Sequence, residues 1–165
     1  MPVKYWSFAG LMLTNWCGAQ CASCYLGCGP DKSDWMDRDT AMRLWRELVE
    51  ASPRGCRVHL TGGEPFGRWE LLIDVCRAAQ AEGLAPLDKV ETNGYWATSE
   101  AIIRDRLGAL DDAGMCTLSI STDPYHQQYV PIDRVRRLVV MARELLGPDR
   151  VQVRWEDWLA EGQDT

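Results

Sequence analysis

Cys17-Gly18-Ala19-Gln20-Cys21-Ala22-Ser23-Cys24 sets three thiols within eight residues, separated mostly by small side chains. The apolar run Leu11-Met12-Leu13 precedes it, and Gly27, Gly29 and Pro30 follow. This pattern reads as a strand running into a loop without regular structure, which presents soft ligands to one metal centre. The chain holds seven cysteines, an odd count; Cys17, Cys21, Cys24 and Cys28 crowd the loop, while Cys56, Cys76 and Cys116 are scattered. Thiols so close together cannot staple distant parts of a chain, so a metal is favoured over a disulfide framework. The scattered three read as small buried hydrophobes. The residues leave two ligand sets open. Three cysteines can hold three corners of a four-iron cluster and leave one iron to a non-protein ligand, or Cys28 can join the triplet as fourth ligand of a structural zinc knot.

Working outward, strands are expected over Phe8 to Asn15, Arg57 to Thr61, Asp88 to Thr92, Cys116 to Ser121 and Val151 to Trp155. Helical periodicity fills the gaps. The first helix is expected to be capped by Asp39, to bury Met42, Trp45, Leu48 and Val49, and to end before Pro53 and Gly55. The second starts at about Trp69, with Leu72, Val75, Cys76 and Ala79 inward and Gly83 as a left-handed stop. Thr98 or Ser99 caps the third, with Ile103, Leu107 and Leu110 buried and Gly114 closing it. The fourth spans about Ile132 to Leu146, with Val135, Leu138, Val139, Ala142 and Leu145 inward and Gly147-Pro148 ending it; a polar tail follows the fifth strand. Of the two histidines, His59 reads as a satisfied core residue. The eight tryptophans read mostly as core packing, with Trp16 and Trp35 placed to shield the cysteine loop.

Strands alternating with helices call for an α/β fold with a parallel sheet and right-handed crossovers. The unusual residues all follow strand ends: the cysteine loop, Gly62-Gly63-Glu64-Pro65, Asn93-Gly94 and Ser121-Thr122-Asp123. In parallel α/β folds that carboxyl edge is where sites are built.

At 165 residues the chain is expected to form a single domain, residues 1–165. A net charge of −6 without blocks of like charge gives no footprint for nucleic acid or an anionic membrane. With neither a signal peptide nor a bilayer-spanning run, a soluble, cytoplasmic protein is expected.

Cys-x-x-x-Cys-x-x-Cys after the first strand, Thr61-Gly62-Gly63-Glu64-Pro65 after the second, Thr92-Asn93-Gly94 after the third and the serine-rich end of the fourth together resemble the radical S-adenosylmethionine (radical SAM) enzyme family, in the family's order. The resemblance covers roughly Leu11 to Trp155. It implies a partial β/α barrel with a four-iron, four-sulfur (4Fe–4S) cluster on Cys17, Cys21 and Cys24, its open iron chelated by the methionine part of SAM. It further implies reductive SAM cleavage to a 5′-deoxyadenosyl radical that abstracts a substrate hydrogen, with the electron from a reductant such as flavodoxin or ferredoxin. In that role Gly62 and Gly63 let backbone approach the ligand, and Glu64 accepts a hydrogen bond from an ammonium group. Thr92, Asn93, Ser119 and Ser121 are then candidates for the SAM carboxylate and ribose contacts, and Tyr125 and His126 for proton or hydrogen-atom donation. Ser23 stands where many members carry an aromatic residue, with Tyr25 just beyond Cys24. The family's usual core has six strand–helix units, so this barrel is expected to be truncated after strand five. Peptide or protein modification is the preferred substrate class. A non-catalytic iron–sulfur or electron-transfer module and a zinc-stabilised interaction domain are the rival readings.

Overall fold

The computed structural model describes residues 6–52, 55–84 and 86–160. Five strands, β1 (Phe8–Met12), β2 (Arg57–Thr61), β3 (Leu87–Thr92), β4 (Thr117–Ser121) and β5 (Val151–Arg154), lie side by side in chain order and are all parallel. Between them run α1 (Arg38–Glu50), α2 (Trp69–Ala81), α3 (Glu100–Asp112) and α4 (Ile132–Leu146), and α5 (Glu156–Ala160) follows β5. This is the partial β/α barrel that the motif order implies.

The register explains why one face of the sheet is core. Leu11, Leu60, Val90, Leu118 and Val151 stand opposite one another across all five strands, each buried. Trp45 and Met42 of α1, Leu72 and Val75 of α2, Leu107 of α3 and Leu138 of α4 pack into the same apolar cluster. Fully burying one such side chain contributes roughly 1.5–3 kcal/mol, so this layer carries most of the fold's stability. The opposite face is polar. His59 and Lys89 are in register, as are Glu91, Ser119 and Gln152, and Ser121 pairs with Arg154. A parallel sheet covered by helices on both faces reads as continuous apolar runs. The polar alternation here marks a face turned toward a cavity.

Several expectations are corrected. β1 stops at Met12 rather than Asn15, because beyond it the chain shares its bonds with a second partner: Met36 N donates to Leu13 O at 2.8 Å and Thr14 bridges Trp35. The cap of α1 is Asp37, not Asp39, since the Asp37 side chain accepts from Thr40 N at 2.9 Å. In α4, Leu145 is exposed, while Met141 and Leu146 are buried. The polar tail is instead a short helix, α5, tied down by the Trp158 indole N–H on Gln127 Oε1 at 3.1 Å; residues 161–165 lie outside the described residues, as does the Pro53 stop of α1. His59 is only half-buried, stacked on Phe8 at 4.5 Å between ring centroids, with its Nδ1 unpartnered among the described residues. Ser99, rather than Thr98, caps α3, and Gly83 and Gly114 take the left-handed conformation expected of them.

The Asp37 cap gives a direct check. Asp37→Ala removes the acceptor for the Thr40 N–H and should cost about 1 kcal/mol in urea unfolding. Asp39→Ala loses only a favourable charge in the first turn, a few tenths of a kcal/mol.

Candidate cluster and cofactor site

The cysteine loop is pinned at its base and turned within. Cys17 N donates to Gly29 O at 3.2 Å and Gly29 N to Asn15 O at 3.3 Å, closing the loop where it leaves and rejoins the body. Inside it, Cys24 N donates to Cys21 O and Gly27 N to Cys24 O, with Gly27 at a φ of 62° that favours glycine. Cys17 and Cys28 are buried with Ala19, while Cys21 and Cys24 are partly exposed. Burial pushes the Cys17 thiol up to about 12 and Cys28 to about 11, the latter against a partial offset from Lys32.

The second motif sits against the root of this loop. A Cβ at Gly62, whose φ is 135°, would strike the carbonyl oxygen of Thr14, and one at Gly63 that of Trp16. Gly63 N and Glu64 N donate to those same two oxygens, each at 2.8 Å. The glycines are thus needed to bring the exits of β1 and β2 together, beyond any approach to a ligand. Trp16 lies over Gly67 and packs on Trp35 and Tyr95, and neither Trp16 nor Trp35 lines the cleft.

Glu64 turns inward and is fully buried, with no edge on the cavity. Its carboxylate accepts from Asn93 N at 2.7 Å, from Thr92 Oγ1 at 3.0 and 3.1 Å, and from Phe66 N at 3.2 Å. Burial outweighs these donors and raises its pKa to about 7. The side chain therefore clamps the exits of β2 and β3 together.

Cys17, Cys21 and Cys24 line one cavity of about 210 Å³ at the carboxyl edge of the strands. Gly62, Gly63, Thr92, Asn93 and Ser121 lie on the same wall, and Cys28 also reaches it. Ser119 is buried and Tyr125 exposed, and neither lines the cavity, whereas His126 does. His126 Nδ1 stands 2.6 Å from Asp123 Oδ2, and Asp123 Oδ1 accepts from the N–H groups of Tyr125 and His126. The loop bearing this pair is fastened to the cysteine loop by Tyr129, whose hydroxyl donates to Gln20 O at 2.8 Å.

Sequence reasoning missed Glu91, Arg154 and the Asp123–His126 pairing. Thr61 Oγ1 donates to Glu91 Oε2 at 2.6 Å, and Arg154 lines the cavity with no partner among the described residues. The signal was present in the alternation His59/Thr61, Lys89/Glu91, Ser119/Ser121 and Gln152/Arg154, one polar residue in two on strands that should be apolar throughout.

Three thiols around one cavity beside glycine backbone fit an iron–sulfur cluster, and Cys17, Cys21 and Cys24 would hold it.

Known proteins bear on the fold. BtrN in complex with AdoMet and 2-DOIA superposes with a TM-score of 0.64 over 93% of this chain and 58% of that one, at 17% identity. Streptococcus suis SuiB bound to precursor peptide SuiA does so with a TM-score of 0.67 over 97% of this chain and 36% of its own, at 14% identity. Both are radical SAM enzymes. The chain has the radical SAM fold. The family resemblance carried by the four motifs is borne out. In sequence, the putative peptide biosynthesis protein YydG of Bacillus subtilis is 23% identical over 135 residues, 80% of this chain. The chain spans 40% of the length of that curated relative. No family model matches. Among the described residues no helix is long and apolar enough to cross a membrane.

Proposed function

We propose that this radical SAM chain is the cluster-bearing catalytic unit of an enzyme that modifies a peptide, acting as one domain. What carries the reading is the convergence of Cys17, Cys21 and Cys24 with Gly62, Gly63, Thr92, Asn93 and Ser121 on one cavity. When bound, a 4Fe–4S cluster and SAM supply the one-electron chemistry that generates a 5′-deoxyadenosyl radical for hydrogen abstraction. The protein's own part is to hold and orient. Three thiolates hold the cluster, and the Gly62-Gly63 backbone gives the methionyl group close approach. Ser121 offers a hydroxyl to its carboxylate or ribose, while the Thr92 hydroxyl is spent on Glu64, Gly94 N and the Trp96 indole and shapes the wall. Glu64 supports this wall from behind and acts on the cofactor through Thr92 and Asn93 rather than by contact. Asp123 orients His126, whose free ring nitrogen can then take or give a proton at the substrate. Arg154, which lines the cavity and has no partner among the described residues, offers its guanidinium to a carboxylate.

The peptide class is supported by two similar proteins, one named for peptide biosynthesis and the other bound to a precursor peptide. Anaerobic reconstitution should give a brown protein with about four irons per chain, and dithionite with SAM should yield 5′-deoxyadenosine. A brown protein that leaves SAM intact would instead select the electron-transfer reading. A colourless zinc protein would select the interaction domain.

A further inference from the structure

Asn93 reaches further than a cofactor wall. Its Nδ2 donates to Cys17 Sγ at 3.5 Å, across 76 residues of sequence, and the side chain is buried. The amide cannot be turned the other way. Tyr95 N, which can only donate, meets Asn93 Oδ1 at 3.0 Å, so the amino group must face the sulfur. The backbone is held equally firmly, by Asn93 N on Glu64 Oε2 at 2.7 Å. The three cysteines are consequently unequal. Cys17 Sγ accepts two N–H bonds, from Asn93 and from Ala19 N at 3.4 Å; Cys24 Sγ accepts one, from Cys28 N at 3.4 Å; Cys21 Sγ accepts none among the described residues.

We infer that Asn93 is a positioning residue for the cluster: through its amide N–H on Cys17 it raises the cluster's reduction potential, and Glu64 and Tyr95 hold it to that task. The inference rests on the proposed cluster assignment. Its physical basis is that an electron added to an iron–sulfur cluster spreads onto the thiolate sulfurs, and a hydrogen bond to such a sulfur favours the more negative state. Tyr95 N fixes the oxygen end and Cys17 Sγ takes one amide hydrogen, which leaves a second N–H to face the cavity that Asn93 lines.

The test is a redox titration of reconstituted protein, followed by electron paramagnetic resonance, on the wild type, N93A and N93D. N93A removes the donor; N93D keeps the acceptor for Tyr95 N but turns a carboxylate toward the sulfur. Midpoint potentials should fall in the order wild type, N93A, N93D. A purely structural role for Asn93 changes unfolding but not that order, and N93D carries the test if N93A does not fold. Coincident midpoints in chains with equal iron loading overturn the inference alone. A wild-type chain that takes up no iron overturns the cluster assignment and the inference with it.

Discussion

Cys17→Ala, Cys21→Ala and Cys24→Ala should each give a colourless protein that makes no 5′-deoxyadenosine, whereas Cys28→Ala should keep its colour and about four irons. The loss is expected because each of the three thiols would hold its own corner of the proposed cluster. Cys28 is the informative control, since it shares the buried pocket of Cys17 and Ala19. Its bond to Cys24 Sγ comes from the backbone N–H, which alanine retains. Iron content, visible absorbance and far-ultraviolet circular dichroism separate metal loss from unfolding. A zinc knot built on Cys28 would reverse the pattern, with Cys28→Ala as damaging as Cys21→Ala or Cys24→Ala.

Glu64→Ala should destabilise the chain by about 3 kcal/mol or more. It leaves Asn93 N, Phe66 N and Thr92 Oγ1 facing a void, and each orphaned buried donor costs about 1–3 kcal/mol. The same carboxyl gives a pH dependence whose sign follows from its raised pKa. Folded, it keeps its proton up to about pH 7; unfolded, it releases it near 4.5. The folded state binds more protons in that window, so the contribution is fully present below pH 4.5 and lost as pH rises through 7. The decline should be about 3 kcal/mol in urea unfolding of the metal-free chain. His59, held below its usual imidazole range by burial, acts in the opposite sense, adding stability that is lost as pH falls. The difference between the wild type and E64Q removes that term. An E64Q chain with the same slope as the wild type would show that Glu64 is not the group responsible.

Much of the fold was legible because its causes are local. Apolar periodicity placed β2 and α4 to the residue, and Gly83, Gly114 and Gly147 take the positive φ values that helix stops favour. Errors fell where a tertiary partner overrides local preference. β1 was drawn too long because residues 33–36 claim Leu13 and Thr14, and the tail was drawn as coil because Gln127, distant in sequence, supplies the acceptor for Trp158. Leu145 and Leu146 are equally apolar; which one faces the core depends on the rotation of α4 as it packs.

The candidate site divides in the same way. Residue types and spacing were enough for the cysteine triplet, the glycine pair and the strand-end placement of every motif, because loop chemistry and strand–helix alternation are properties of neighbours along the chain. The inward turn of Glu64, the amide of Asn93 on Cys17, the imidazole of His126 beside Asp123 and the placement of Arg154 on the cavity depend on how five strand ends are brought together. Only the parallel register across the sheet supplies that arrangement, since a hydrogen bond spanning 76 residues has no counterpart in any local pattern.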